Sequence, residues 1–439
     1  MTLHAQSVRA YLAALEARGW LNPIADPVAP EFELSAWLCH IADGPALRFD
    51  CVAGRDMRVF GNLLCSRQRI ALGLDATEAS LQEKIVAAIR RPVNPVAVAG
   101  AACQEVTLDR PDLATLPIPT FFEHETGPYI TAGAIVARGN LSFARVKPLG
   151  GNRAFIGIAP EHHLAVLARA AHGQGKRLPI ALTLGNHPAV LIAAALYLGL
   201  GEDELRVASA LLPRALEVAL TAHGLHVPAH CEIVLEGEID AGTAVTEGAV
   251  SEYHGMYEDY GAGMQVEFTR MTRRRDAMLQ VIQPGFYPEH VWIGGEAIAA
   301  SLARRLRESF DIDQVAITPG GAGRLHAVIA LRAGGAKSVM HAAWDAVRLV
   351  KMVTVVDADI DPWDPLQVEW ALATRMRAER DLVVRPAAAT SRSDPLGQGA
   401  TIGKLGIDAT RKPGDRGDWR LARPPAEVMR RIGRKIARE

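Results

Sequence analysis

Residues 131–159 read TAGAIVARGNLSFARVKPLGGNRAFIGIA. The runs TAGAIVARG, LSFARVKPL and RAFIGIA are short, alternating or β-branched, and they close near Gly, Asn or Pro, the pattern of strands joined by turns. Working outward, HCEIVLEGEI, MQVEFTRMTRR and DAMLQVIQP repeat that pattern. Residues from about 121 to 285 are therefore expected to form a β-rich domain, interrupted by helices at His163–His172 and near Ala189–Leu198. Upstream, helical spacing predicts helices from Val8 to about Arg18 and from Glu78 to Arg90, the second stopped by Pro92. Between them, Ala46–Leu64 reads as strands and turns. Downstream, helical runs at Gly294–Phe310, Ala336–Val350 and Asp364–Met376 alternate with strands at Asp311–Thr318, His326–Leu331 and Met352–Asp357, which predicts helices against a sheet. Residues 385–423, rich in Pro, Gly, Ser and charge, read as a long loop or tail. The basic helix Pro425–Arg438 is equally a solvated cap or a dock for a neighbouring subunit.

The composition bounds the function. A chain of 439 residues suggests two or three domains. With 49% hydrophobic and 22% charged residues, disorder over the whole chain is excluded. A formal net charge of −1 argues against a nucleic-acid coat, which needs excess positive charge. The five cysteines are an odd number without a C-x-x-C, against a disulfide framework or a cysteine-based zinc site. The first residues lack the apolar core of a leader peptide. PAVLIAAALYLGLG (188–201) falls short of the roughly 20 residues of a membrane span. A cytoplasmic, reducing compartment is the default expectation.

Several constellations carry possible chemistry. EGAVSEYHG places Glu247 and Glu252 in a Gly-flanked turn after a strand; burial or a like-charged neighbour would raise a carboxyl pKa for acid–base work. An exposed acidic loop, continued by Glu258 and Asp259, explains the same residues. In NLSFARVK, alternation puts Asn140, Ser142 and Ala144 on one strand face and Leu141, Phe143 and Arg145 on the other. An inward Arg145 could hold a substrate acid bidentately; an edge-strand charge is the competing reading. PEHHLAVLARAAH offers His162 and His163 at a helix start, where adjacent histidines cannot face one point. Glu204 opens an acid-rich helix N-terminus that the helix dipole explains by itself. Lys351 stands where a helix runs into a buried strand, fit to hold a phosphate or to neutralise a carbonyl end. No G-x-x-x-x-G-K-[ST] is present, TPGGAGRLHAV (318–328) has the wrong spacing for a dinucleotide loop, and no G-x-S-x-G elbow occurs.

Taken in order, N-x-S-x-A-R, P-x-H, E-L-R-V-A-S-A-L, V-P-A-x-x-E-I-V-L-E-G, E-G-x-x-x-E-x-H-G, D-A-D-I-D-P-W-D and A-T-R-M resemble the UbiD-type, prenylated-FMN-dependent (de)carboxylases, from about Pro117 to Lys412. The resemblance implies an N-terminal α/β segment (1–115), a central split β-barrel binding cofactor and metal (116–292), and a C-terminal α/β oligomerisation domain (293–439). It implies reversible decarboxylation of an aromatic, heteroaromatic or α,β-unsaturated acid through a covalent adduct with prenylated FMN, supplied by a separate flavin prenyltransferase. Mn²⁺ (or Mg²⁺) and K⁺ would tie the cofactor phosphate to the protein. The family's metal ligands fall on Asn140, His162 and Glu204, with His163 competing for the imidazole position. The catalytic Glu, Arg and Glu fall on Glu247, Arg145 and Glu252. Cofactor contacts fall on Asn140, Ser142, Phe143, Ala144, Arg145, Glu161, His162 and Lys351, and His290 lies where the substrate pocket varies. The usual E-G-P-[FY]-G-[ED] reads E-G-A-V-S-E here, which reshapes the acid loop while keeping its acids. A homodimer or homohexamer is expected, with a small carboxylic acid and CO₂ as the molecules handled. The other readings are a flavin-independent, metal-dependent lyase or hydrolase, and a non-catalytic subunit of a multi-subunit carboxylase.

Overall fold

The computed structural model describes residues 4–397, 401–414 and 422–436. At its centre, seven strands lie side by side in the order Asn140–Phe143, Ala134–Ala137, Leu178–Leu184, Ile233–Thr246, Ala262–Arg273, Arg153–Gly157 and Arg145–Gly150. Val106–Asp109 adds an eighth by pairing with Ala262–Arg273. Every pairing is antiparallel. The first and last strands of this order are consecutive in the chain, with only Ala144 between them. Ala134 pairs with Phe143 at one edge, and Arg145 pairs with Gly157 at the other. A sheet whose two edges are one continuous passage must curl until they meet. The centre is thus a split β-barrel, and its seam runs through Asn140–Arg145.

Local sequence explains the strands. Gly139, at φ +68, takes the left-handed conformation in the turn that closes Ala137 onto Asn140. Ile180, Leu182 and Leu184 alternate into a buried cluster with Ile233, Leu235 and Phe268, and Ala181 and Thr183 on the opposite face are buried as well. The hairpin Ile233–Thr246/Ala262–Arg273 projects beyond the sheet, and its connecting residues carry both acids of EGAVSEYHG.

The flanking regions pack around this centre. Leu279–Gln280 returns from the end of the central region to complete a four-stranded N-terminal sheet with Leu21–Ile24, Ala46–Phe49 and Val59–Gly61. The C-terminal sheet has the order Ile312–Ile317, His326–Leu331, Met352–Asp357, Thr401–Ala409, Leu382–Ala389, with parallel and antiparallel pairs. Two of these strands correct the expectation of a loop or tail over 385–423. Glycine there signals close packing instead of a turn: a Cβ at Gly406 would stand 3.1 Å from Met340 Cγ and 3.2 Å from the Trp344 ring. Residues 398–400 and 415–421 of that stretch lie outside the described residues, as do residues 437 and 438 of the final helix, which is described as Ala426–Ile436. The helix expected from Gly294 begins at Pro288 and runs to Leu306. It is the pillar of the molecule. One apolar cluster joins its Ile298 and Leu302 to Ile85 and Ile89 of the N-terminal helix Glu78–Arg90 and to Val315 and Ile329 of the C-terminal sheet. Each such side chain contributes about 1.5–3 kcal/mol on burial. Polar ties fix the register: Gln82 Nε2 donates to Val315 O at 2.6 Å, and Arg67 Nε donates to Glu296 Oε1 at 2.5 Å.

Candidate active site

Arg145 follows the seam, and its guanidinium meets both acids of the hairpin loop. Nε and Nη2 donate to Glu247 Oε1 and Oε2 at 2.5 and 2.7 Å, and Nη1 donates to Glu252 Oε1 at 2.9 Å. The Glu247 side chain is 0% exposed and that of Glu252 is 12% exposed, so the acids are not a solvated loop. Their burial comes from residues distant in sequence. Lys147 Nζ donates to Glu247 O at 2.8 Å, and Glu125 Oε1 accepts from the Ser251 hydroxyl at 2.7 Å. Gly157 leaves room for the arginine, since a Cβ there would stand 2.9 Å from Arg145 Nε. Tyr260 covers the guanidinium, 5.3 Å from ring centroid to Cζ. Paired acids hold the Arg145 cation so firmly that its pKa lies above the ordinary value, although burial opposes this. Glu125, Lys147, Gly157 and Tyr260 carry no motif of their own, and sequence reasoning passes over them.

On the other side of the seam, Leu141 N–H donates to Glu204 Oε2 at 2.9 Å, Asn140 Nδ2 donates to the same oxygen at 3.3 Å, and the Ser142 hydroxyl donates to Asn140 Oδ1 at 3.1 Å. His163 Nδ1 is 4.0 Å from Glu204 Oε1. His162 caps its helix, with Nδ1 accepting from Leu164 N–H at 3.3 Å. Burial, then the neighbouring His163, lowers the His162 pKa to about 4, which keeps the imidazole neutral and able to ligate. Burial raises the Glu204 carboxyl to about 7 despite its backbone hydrogen bonds. Among the described residues Glu204 pairs with no Lys or Arg; with the Asn140 amide turned to offer Oδ1, the buried carboxylate, that oxygen and an imidazole make a donor set that fits Mn²⁺ or Mg²⁺.

Both groups face one cavity of about 710 Å³, a cofactor-sized volume. Its lining comes from the seam (Asn140–Arg145), Glu161, His162, His163, Glu204 and Glu252, then His290 and Gly294 of the long helix, then Arg324, Leu349, Ser391 and Ser393 of the C-terminal region. Both strand faces of Asn140–Arg145 reach it because the seam is a sheet edge. Glu161 Oε1 accepts from the Ser391 hydroxyl at 3.3 Å, a tie between the central and C-terminal regions. His290 is held by Gly285 O, 3.2 Å from Nδ1. Lys351 is not among the lining residues; its Nζ lies 3.3 Å from Asp394 Oδ1. Of the acids in DADIDPWD, Asp357 and Asp359 pair with Arg375 and Arg411. A separate group, His4, Glu217 and His230, gathers three ligand atoms within 4.8 Å and shares no residue with the cavity.

Comparisons with known proteins agree with this geometry. Sequence models of three 3-octaprenyl-4-hydroxybenzoate carboxy-lyase (UbiD) domains match in succession: the N-terminal domain over residues 12–106, the Rift-related domain over 95–287 and the C-terminal domain over 291–409. Anhydromevalonate phosphate decarboxylase of Methanosarcina mazei is 33% identical over 415 residues, 92% of this chain and 96% of the relative. The UbiD-class enzyme HmfF of Pelotomaculum thermopropionicum, solved in complex with FMN, superposes with a TM-score of 0.89 at 37% identity, covering 96% of this chain and 98% of that one. Vanillic acid decarboxylase of Sedimentibacter hydroxybenzoicus superposes with a TM-score of 0.88 at 25% identity over 100% of both chains.

Proposed function

The chain belongs to the UbiD family of prenylated-FMN-dependent (de)carboxylases, and from that premise we propose that it reversibly decarboxylates an aromatic, heteroaromatic or α,β-unsaturated acid at the Glu247–Arg145–Glu252 site. The observation that carries the assignment is the double contact of Arg145 with two shielded carboxylates on the wall that also bears Asn140 and Glu204. Relatives named for vanillic acid and for anhydromevalonate phosphate frame the substrate range.

The chain's own residues divide the work. Arg145 spends an N–H from each of its nitrogens on the acids and keeps one on each terminal nitrogen for the substrate carboxylate. Glu247 fixes the guanidinium plane. Glu252, the less enclosed acid, delivers the proton to the carbon that CO₂ leaves, and removes it in the carboxylation direction. Asn140, Glu204 and an imidazole of the His162–His163 pair would hold Mn²⁺ or Mg²⁺, with K⁺ as a second cation. Ser142, Phe143, Ala144 and Glu161 line the cavity and would complete the cofactor's surroundings; Lys351, off that wall and paired with Asp394, would serve the cofactor phosphate only by giving up that pair. When bound, prenylated FMN supplies the electron sink that loss of CO₂ requires. A flavin prenyltransferase supplies the cofactor. The helix Ala426–Ile436 exposes Met429, Ile432 and Ile436 and packs on a second copy in a homodimer or homohexamer.

The test is CO₂ release from a panel of aromatic and acrylic acids by protein co-expressed with a flavin prenyltransferase. Turnover of at least one acid, abolished in Glu252→Gln, is expected. Cofactor-loaded, metal-replete protein inert towards every acid overturns the reading.

A further inference from the structure

We propose that Arg324 is the specificity-determining residue for a second anionic group, carboxylate or phosphate, on the acid that this site decarboxylates. The inference rests on the assignment above and narrows its substrate class. Charge on the cavity wall is the starting point. The Arg145 cation is answered by two carboxylates. Arg324 lines the same cavity, half-buried, and among the described residues it forms no ion pair and one side-chain hydrogen bond, Nη1 to Gly323 O at 3.0 Å, which is to its own neighbour. Arg348, also on the wall and also without an ion pair there, is exposed to solvent.

The seat of Arg324 is built. Gly294 of the long helix carries no side chain at the spot where a Cβ would run into the guanidinium. Gly323, at φ +65, lets the loop press against Val291 O. The Tyr253 ring lies 5.7 Å from Arg324 Cζ and is anchored through its hydroxyl to Ser393 O at 2.9 Å. Tyr253 directly follows Glu252, and Arg324 and Glu252 line the same cavity. His290 sits one helical turn before Gly294 on the same face. Because Gly285 O can only accept, His290 Nδ1 carries the proton and Nε2 is left as an acceptor. Burial, then the charge of Arg324, lowers its pKa to about 3, so it adds no positive charge there. The cofactor's phosphate would have its own cation site at Asn140 and Glu204. An arginine fork held open over a ring, without a carboxylate, suits bidentate capture of an anion.

The test uses cinnamate, 4-carboxycinnamate and 4-phosphooxycinnamate with the cofactor- and metal-loaded protein and its Arg324→Gln and Arg324→Lys variants. Calorimetric Kd values and kcat/KM are read for each, together with cofactor and metal content. The parent is expected to favour at least one charged analogue over cinnamate by roughly 10- to 100-fold, mainly in Kd and KM. Arg324→Gln should erase that ratio with cofactor content unchanged, and Arg324→Lys should restore part of it. Which analogue responds identifies carboxylate or phosphate. Equal affinity of the parent for all three acids, or loss of cofactor from Arg324→Gln, overturns the proposal. Charge-dependent binding without any turnover leaves it standing and counts against the decarboxylase assignment instead.

Discussion

Replacing Arg145 by alanine separates the structural and chemical duties of the site. The substitution removes the hydrogen bonds of 2.5 and 2.7 Å to Glu247, whose side chain is 0% exposed, and the 2.9 Å bond to Glu252. Lys147 does not take over, because its Nζ is committed to Glu247 O and the Thr126 hydroxyl. An uncompensated buried carboxylate costs about 3–5 kcal/mol, a large share of the 5–15 kcal/mol that holds a typical domain together. The double variant Arg145→Met/Glu247→Leu removes the stranded charge and should recover most of the loss. Urea unfolding followed by tryptophan fluorescence reads the stability, and CO₂ release reads the chemistry. Both variants should be inactive while only the single one is badly destabilised. A single variant within about 1 kcal/mol of the parent, or a double variant no more stable than the single, refutes the buried-pair reasoning.

Three further perturbations address separate groups. Glu252→Gln keeps an oxygen for Arg145 Nη1 but cannot donate the catalytic proton; kcat should fall about 10²- to 10⁴-fold with cofactor and metal still bound, and a fall of less than tenfold contradicts the proton-donor role. Saturating Mn²⁺ should stabilise the parent by about 2.7 kcal/mol at a hundredfold excess over Kd and should leave Glu204→Gln unmoved; an equal gain in both removes Glu204 from the metal site. The same titration of His162→Ala and His163→Ala identifies the ligating imidazole. Glu289 is fully buried, and burial raises its carboxyl from 4.5 to about 7, while Leu63 and Leu64 N–H both donate to Oε1. Its favourable contribution is complete below pH 4.5 and fades as pH rises through 7, so Glu289→Gln should gain on the parent by up to about 3 kcal/mol between pH 5 and 8. A stability difference flat with pH excludes that carboxyl as the cause.

What sequence could and could not show follows from the range of the interactions. Alternation in NLSFARVK marks a strand correctly, but pairing partners are non-local, and nothing in the passage says that its halves belong to opposite edges of one sheet. The Glu247 and Glu252 acids stand out as residues. Their burial depends on Arg145, Lys147 and Glu125, about a hundred or more positions away, so a loop of Glu, Gly and Ser reads as solvated. Gly- and Pro-rich composition suggests a tail at 385–423, yet Gly406 is a packing position beneath Met340 and Trp344. The stretch TPGGAGRLHAV fails the dinucleotide fingerprint, and only the approach of Gly323 and Arg324 to the long helix shows what its glycines allow. Lys351 matches the family pattern by position and is nonetheless tied to Asp394.

The central claim is that this chain carries prenylated FMN on a divalent metal at the barrel seam. The most direct measurement is the absorbance spectrum, cofactor mass and metal content of the protein co-expressed with a flavin prenyltransferase and purified without added flavin. The account predicts prenylated FMN and stoichiometric Mn²⁺, both lost in Glu204→Gln. Folded, metal-replete protein that stays colourless would contradict it, and would favour a flavin-independent lyase if it turns over acids or an accessory subunit if it does not.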